Sequence, residues 1–381
     1  MQKRMKKIVA VALVVMLTMV TVACKSGASK DSHTLVIGSM GPITGANAVY
    51  GTSVKNGATI AVDEINQKGL DGEPLGVHLE LKFEDDQADA QTAANAYFRL
   101  LSEGMDVLLG ATTSGACQIV NKLSERDDLL MVTPSGSANN ITDPDNVYRI
   151  CFTDPSQGTK IAELISKTLN YKKAAVLYDV SSDYGKGVHD QFVKDAKENG
   201  LEIVSDQSFN SGDKDFNTQL TTIKSSGAEV IFVPGYYQDV SFILTQANQL
   251  GLNIPFVGSD GWDGVTNQLG SNATVADGAI FLSPFFSADT TPNVKNFVEE
   301  YKERFDSIPD QFAADAYDGV YAIAKAYKIA QSTESEMLIE AMKEVEVDGI
   351  TGRFSFDEDG NPNKEAKYIQ IENGEYTLFE Y

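Results

Sequence analysis

The feature that most constrains the fold of this chain is the regular alternation of short apolar segments with helical segments. Thr34 to Gly38 is an apolar run typical of a short strand, and residues 53–68 carry helical spacing of apolar positions. Residues 77–83 alternate apolar and polar side chains, as a half-buried strand does. Strands separated by helices of this length predict an α/β fold with a parallel, doubly wound sheet.

The alternation restarts after Thr153, with apolar strand patterns at residues 174–178 and 230–233. Tyr50-Gly51 opens one helical pattern and Tyr184-Gly185 opens another, which is a weak internal repeat. About 350 residues also exceed what one hydrophobic core usually supports. The chain is therefore predicted to form two Rossmann-like lobes.

The last hundred residues do not fit an arrangement in which the chain completes one lobe before it begins the other. Helical patterns cover 294–305, 313–330 and 335–345, and strand patterns follow at 352–356 and 368–371. Pairing these segments with both lobes requires more than two crossings, which we expect at 149–153, 282–285 and 350–354. We therefore expect residues 34–150 with 284–351 to form lobe 1, and residues 151–283 with 352–381 to form lobe 2.

The N-terminal 23 residues have the pattern of an export signal. Four basic residues precede an apolar run, 8–22, that ends at Ala23-Cys24 and is too short to span a membrane comfortably. The small residue before a cysteine predicts a lipoprotein signal over 1–23, a lipid anchor on Cys24 in the cell envelope, and a flexible tether over 24–33. A plain secretory signal that happens to contain a cysteine is the alternative.

Composition and cysteine usage exclude several classes of function. Without residues 1–23 the net charge falls from −23 to −27, which argues against binding nucleic acid or an anionic membrane surface. Cys117 and Cys151 make no disulfide framework, and whether they are bonded stays open. The three histidines, His33, His78 and His189, lie apart, so no metal and no other cofactor is predicted. No nucleophile has an evident histidine base, so an enzyme is not expected.

A binding site is indicated where the predicted strands end. The strand at 107–109 runs into a Ser/Thr/Gly loop that opens a helix at Ser114, and free N–H groups at such a start can hold a carboxylate. Open α/β sheets bind ligands beyond the carboxyl ends of their strands. The candidates there are Tyr50, Ser114, Ser135 and Ser137 in lobe 1, and Tyr184, Tyr236, Asp260 and Trp262 in lobe 2.

These side chains suit a zwitterion. Hydroxyl and N–H groups of lobe 1 would take its carboxylate, Asp260 its ammonium, and the tyrosines would enclose the remainder. Each residue also has a structural alternative, such as a helix cap for Asp260, turn residues for the serines and rim packing for Trp262.

Several motifs in order carry a resemblance to a known family. They are Gly41-Pro-Ile-Thr-Gly45, residues 57–66, Ser182-Asp-Tyr-Gly-Lys-Gly187, Pro234-Gly-Tyr236 and Gly258-Ser-Asp-Gly261. From Leu35 onward the chain resembles the substrate-binding lipoproteins of branched-chain-type amino acid ABC importers, with a type I periplasmic-binding-protein fold. The resemblance implies a monomer whose two lobes, joined by three crossovers, close over an amino acid and deliver it to a permease and its ATPase.

The resemblance also implies roles for individual residues. Ser114 and Ser137 match carboxylate binders, and Ser135 matches a position whose carbonyl accepts the ammonium. Asp260 matches an acidic partner of that ammonium, although it is one methylene shorter than the Glu of some members. Tyr50, Tyr184 and Tyr236 match aromatic residues that cover the closed cleft, and Trp262 is expected near the pocket mouth.

Leucine, isoleucine or valine is the first expectation for the ligand, with alanine, threonine, an aromatic amino acid or an amide as alternatives. A sensory module of the same fold, or an envelope enzyme acting on a small amide or amino acid, would be a different function for the same chain.

Overall fold

The computed structural model describes residues 34–380, which form an α/β structure with two largely parallel sheets. The predicted signal peptide 1–23, the tether 24–33 and the lipidation site Cys24 lie outside the described residues. Within the described part of the chain, no helix combines the length and the apolar character that crossing a membrane requires.

The first sheet contains five strands in the order β2-β1-β3-β4-β5. The pairs β1/β3, β3/β4 and β4/β5 are parallel. Strands β3, β4 and β5 are three residues long and fully buried, because helices cover both faces of the sheet. The strands are β1 (Thr34–Gly41), β2 (His78–Asp85), β3 (Val107–Leu109), β4 (Met131–Thr133) and β5 (Val147–Arg149).

The second sheet contains seven strands, and a separate two-stranded ribbon precedes its last two strands in the chain. The first five strands of the second sheet run parallel, whereas the last two are antiparallel additions at one edge. The strands of this sheet are β6 (Lys173–Asp179), β7 (Glu202–Phe209), β8 (Val230–Val233), β9 (Phe256–Gly258), β10 (Ile280–Ser283), β13 (Lys367–Glu372) and β14 (Glu375–Leu378). Their order across the sheet is β14-β13-β10-β9-β8-β6-β7. The ribbon consists of β11 (Glu346–Gly349) and β12 (Gly352–Ser355).

Helices alternate with these strands, as the sequence pattern predicts, and the α/β fold class with two doubly wound sheets is confirmed. The helices are α1 (Ala48–Lys68), α2 (Ala90–Ser102), α3 (Ser114–Arg126), α4 (Asp154–Glu163), α5 (Asp183–Glu198), α6 (Asn217–Ser225), α7 (Tyr237–Gln249), α8 (Val265–Leu269), α9 (Pro292–Phe305), α10 (Gln311–Ala330) and α11 (Ser335–Met342).

The tail helix α10 packs against α1 and against strands of the first sheet. Its buried face is rich in alanine, which allows the two helix backbones to approach closely. Gly57 of α1 is required at this crossing, since a Cβ there would lie 2.0 Å from the carbonyl oxygen of Ala313. This packing brings the N-terminal end of α10 to the edge where the strands of the first sheet end.

The division of the chain into two lobes at residues 150, 283 and 351 stays a prediction. Strands β1 to β5 precede residue 150, and β6 to β10 lie between residues 151 and 283. The ribbon pairs β11 with β12 across the expected third crossing at 350–354.

Candidate functional site

A small cavity lies between the loops that follow the strands of both sheets. Its volume is about 10 Å³, roughly the room that one water molecule needs. The lining comes from the loops after β3, β4, β8 and β9 and from the first turns of α1, α5 and α10. The lining residues are Tyr50, Thr112, Thr113, Ser135, Ser137, Tyr184, Tyr236, Asp260, Gly261 and Phe312.

Hydroxyl groups form the part of the lining that follows the first sheet. The Ser135 hydroxyl donates a 2.7 Å hydrogen bond to the carbonyl oxygen of Thr112, which ties the loop after β4 to the loop after β3. The Thr113 hydroxyl is buried and has no hydrogen-bond partner among residues 34–380. Because Thr113 immediately precedes α3, its hydroxyl lies beside the free N–H groups of the helix start. This end of the cavity therefore offers hydrogen-bond donors to an anion.

Ser114 lies behind the cavity lining. Its Oγ accepts hydrogen bonds from the backbone N–H groups of Ser137 and Ala138, each at 3.2 Å. Ser114 therefore fixes the loop that carries Ser137, which does line the cavity.

Asp260 supplies a buried carboxylate on the side of the second sheet. Its Oδ1 accepts a 2.7 Å hydrogen bond from the Tyr184 hydroxyl, and its backbone N–H donates to Oε1 of Gln157 at 3.1 Å. The Tyr184 hydroxyl also accepts the N–H of Gly261 at 2.9 Å. Burial raises the pKa of Asp260 to about 6, since water no longer solvates its charged form. The carboxylate is thus held in place, and it lacks a cationic side chain as partner in the described chain.

Asp154, which the sequence interpretation missed, is a second buried carboxylate close to Asp260. It is the first residue of α4 and is 1% exposed. Neither of its oxygens has a hydrogen-bond partner among the described residues. Burial raises its pKa well above the usual range, and the charge on Asp260 raises the pKa further. An unpartnered buried carboxylate is unfavourable unless a cation approaches it.

Aromatic rings form the remaining wall. The rings of Tyr184 and Tyr236 stack with their centroids 5.0 Å apart, and Tyr50 meets Tyr236 edge-on at 5.6 Å. Phe312 lies 4.0 Å from the ring of Tyr50. Sequence inspection missed Phe312, because only the packing of α10 against α1 brings it to this wall.

The expectation that Trp262 lies near the pocket mouth is wrong. Its side chain is fully buried in the hydrophobic core, and its Nε1 donates a 2.8 Å hydrogen bond to the carbonyl oxygen of Val233. The short turn Asp260–Trp262 directs the indole back over β9, where Gly258 leaves room for it.

No metal-binding arrangement is found in residues 34–380. No group of three or more His, Cys, Asp or Glu side chains there could hold a metal ion. Cys117 and Cys151 are free and buried, and burial raises the pKa of Cys117 to about 12, which keeps its thiol protonated. His189 lies against Tyr178 with its ring nitrogens on Asp190 and Asp206, outside the cavity lining.

The chain is similar to known proteins in sequence and in fold. Residues 34–375 match the family model described as periplasmic binding protein. The chain is 28% identical over 356 residues to the leucine-, isoleucine-, valine-, threonine- and alanine-binding protein of Pseudomonas aeruginosa, covering 93% of this chain and 91% of that protein.

Two solved structures have a similar fold. A leucine-binding protein from Thermotoga maritima superposes with a TM-score of 0.84 at 29% identity, covering 91% of this chain and 98% of that one. A branched-chain amino acid transporter substrate-binding protein from Streptococcus pneumoniae, solved in complex with isoleucine, gives a TM-score of 0.82 at 32% identity and covers 90% and 97% of the two chains.

Proposed function

This chain belongs to the periplasmic binding protein family, and from that premise we propose that it captures a free amino acid between two closing lobes. One observation carries the proposal: hydroxyl groups line one end of the cavity and the buried carboxylate of Asp260 lines the other, with the unpartnered carboxylate of Asp154 buried behind it. A zwitterionic amino acid complements both ends at once. Leucine, isoleucine and valine are the first candidates, because the relatives named above bind them.

The carboxylate of the ligand would bind at the end of the cavity next to the first sheet. Thr113 offers an unpartnered hydroxyl, and Ser137 offers its hydroxyl on a loop that Ser114 holds by accepting the N–H of Ser137. The start of α3 adds its free N–H groups and the positive end of its dipole. Hydrogen bonds to a charged group contribute about 1.5–3 kcal/mol each, so two or three of them suffice to orient the ligand.

The ammonium of the ligand would lie between Asp154 and Asp260, with the backbone carbonyl of Ser135 as a third acceptor. Both carboxylates are buried, so their attraction to a cation is weakly screened by water. Tyr184 keeps Asp260 in position through its hydroxyl. Supplying the missing positive charge removes the cost of two unpaired buried acids, which gives the ligand a large share of its binding energy.

Binding requires the cavity to open and close again. A leucine-sized ligand has about nine non-hydrogen atoms, and ligand pockets usually measure about 300–1,000 Å³, whereas the cavity here measures about 10 Å³. We therefore propose that the segments joining the two sheets act as a hinge and that Tyr50, Tyr236 and Phe312 move with it. A ceiling near 1.5 kcal/mol per atom allows about 13 kcal/mol, and micromolar affinity needs about 8, which leaves room for the cost of closure.

The proposed destination of the ligand is an ABC permease driven by its ATPase, with this protein as a monomer held at the membrane by a lipid on Cys24. The family acts outside the cytoplasm. The transporter is proposed because the isoleucine-bound relative is the substrate-binding protein of such a transporter.

A thermal-shift screen tests the proposal. The purified protein, partly unfolded and dialysed to remove any bound ligand, is heated with each of the twenty amino acids and with small amides. A ligand at 100 times its dissociation constant adds about 2.7 kcal/mol of stability, a shift of several degrees. Asp260→Asn is the control and, with a loss of at least about thirtyfold in affinity, should reduce the shift to about a third or less. If none of the compounds shifts the melting temperature, the amino acid assignment is refuted. If an amino acid is recovered chemically altered, the protein is an enzyme instead.

A further inference from the structure

Two carboxylates, Asp263 from the loop after β9 and Asp310 before α10, both bind the start of α10. Oδ2 of Asp263 accepts the backbone N–H of Gln311 at 2.9 Å. Asp310, the residue before Gln311, caps α10 by accepting the N–H of Ala313 at 3.0 Å, and its other oxygen accepts the Ser53 hydroxyl at 2.7 Å. The first carboxylate belongs to the second sheet, and the second belongs to the helix that packs on the first sheet. The contact therefore joins the two halves of the molecule.

No positive charge neutralises this pair. Neither Asp263 nor Asp310 forms an ion pair within residues 34–380, and Oδ1 of Asp263 has no hydrogen-bond partner there. The other titratable groups that face the pair are phenols: Tyr376 of β14, Tyr301 of α9 and Tyr237 of α7. Burial, and then the charge on Asp310, raises the pKa of Tyr301 to about 12, so it stays neutral. Asp263 is buried and Asp310 is half-buried, and two carboxylates that accept N–H groups of the same helix turn without a cation cannot both be ionised at low cost.

We propose that Asp263 and Asp310 are positioning residues for closure that share one proton in the closed state, so that closing the lobes takes up a proton. The inference rests on the proposed closure around an amino acid and adds its control by pH. In the open state water would separate and solvate the two carboxylates, and both would ionise. In the closed state the proton on one carboxylate replaces repulsion with a hydrogen bond.

The sign of the effect follows from the linkage between proton binding and conformation. Burial, and then the facing carboxylate Asp310, raises the pKa of Asp263 in the closed state, and burial also raises the pKa of Asp310. Closure is therefore favoured at low pH and is progressively lost as the pH rises from the ordinary carboxyl range through the raised value. One proton taken up corresponds to a change of at most tenfold in the closing equilibrium per pH unit.

Small-angle X-ray scattering of the ligand-free protein tests the inference without a ligand. We expect a smaller radius of gyration at about pH 5.5 than at about pH 8.5, because the proton holds the lobes together. Asp263→Asn and Asp310→Asn imitate the protonated carboxyl, and Asn still caps a helix, so the radius should change clearly less with pH in both variants, the remainder coming from the buried acids Asp154 and Asp260. Asp239→Asn removes a buried acid that faces only groups of the second sheet, and it should respond to pH as the unchanged protein does. A radius independent of pH in the unchanged protein, or a full response in both variants, would overturn the inference.

Calorimetry with a bound amino acid gives a second readout. Titrations in buffers of different ionisation enthalpy count the protons taken up, and we expect close to one near neutral pH and about half or less in Asp263→Asn. Proton uptake that is the same in this variant would contradict the inference. If the radius of gyration depends on pH but no amino acid shifts the melting temperature, the proton-sharing pair is supported and the proposed ligand is refuted.

Discussion

The hydroxyl of Tyr50 donates a 2.5 Å hydrogen bond to the carbonyl oxygen of Gly261, although the two residues belong to different halves of the molecule. The same hydroxyl accepts the N–H of Tyr237 at 3.1 Å. Tyr50 lies in the first turn of α1, which covers the first sheet, whereas Gly261 follows β9 and Tyr237 follows β8 of the second sheet. One phenol thus connects the closed halves directly above the cavity.

Removing this hydroxyl should shorten the lifetime of the closed complex. Tyr50→Phe keeps the ring contacts with Tyr236 and Phe312 but loses both hydrogen bonds, which are expected to contribute about 0.5–1.5 kcal/mol each. Together they amount to about 1–3 kcal/mol, so we expect about fivefold to 150-fold weaker ligand binding, mostly from faster dissociation, measured by stopped-flow fluorescence. Tyr97→Phe removes another buried hydroxyl, on α2, and should leave the dissociation rate unchanged. Equal rates in both variants would exclude Tyr50 as a bridge.

The charge of Asp260 should dominate the affinity for an ammonium group. Asp260→Asn preserves the shape of the side chain and removes the charge, so we expect a loss of about 2–5 kcal/mol, at least thirtyfold in the dissociation constant. Isothermal titration calorimetry measures this directly. Asp239→Asn, in which a buried acid outside the cavity is changed, should bind normally. A loss below about threefold would remove Asp260 from the site.

Protonation of Asp260 should also weaken ligand binding at low pH. Burial raises its pKa to about 6 in the structure without ligand, and a neighbouring ammonium would lower that pKa. Binding therefore releases a proton, and affinity is fully present above about pH 6 and falls as the pH drops through that value. Dissociation constants measured across this pH range should rise towards low pH in the unchanged protein and should change less with pH in Asp260→Asn. A flat profile in the unchanged protein would mean that Asp260 does not face the ammonium. The effect has the opposite sign to the one expected from Asp263 and Asp310.

The buried position of Trp262 makes Gly258 indispensable. A Cβ at Gly258 would lie 2.3 Å from the indole ring, so Gly258→Ala should overpack the core and lower the free energy of unfolding by about 1–3 kcal/mol. Gly235→Ala is the matched control, since its Cβ would find no atom nearer than 3.6 Å. Urea denaturation followed by the tryptophan fluorescence measures both variants. Equal stability of the two would place the indole elsewhere.

A buried ion pair fixes the segment that follows the ribbon to α10. Lys364 Nζ lies 3.0 Å from Oδ1 of Asp315, both side chains are at most 2% exposed, and the ammonium lies over the ring of Phe354. Lys364→Met leaves Asp315 buried without its partner, so we expect a loss of about 3–5 kcal/mol in the free energy of unfolding. Lys343→Met breaks an exposed pair with Glu340 and should change nothing measurable. Chemical denaturation distinguishes the two, and comparable stabilities would argue that water reaches Lys364.

The sequence by itself determined the α/β architecture and the edge at which a ligand would bind. Apolar periodicity reports which face of an element is buried, and parallel strands all end at the same edge of a sheet. For this reason Tyr50, Ser135, Ser137, Tyr184, Tyr236 and Asp260, chosen because they follow strands or open helices, line one cavity.

Only the tertiary structure decided which side chains at that edge face the cavity. Ser114 turns its hydroxyl to the backbone of the neighbouring loop, and Trp262 turns into the core, although both occupy strand-end positions. Phe312 reaches the cavity from α10, more than two hundred residues away from Tyr50 along the chain. Periodicity contains no information about such distant contacts, because they depend on how closely two helices pack, and here that distance is set by Gly57 and the alanines of α10.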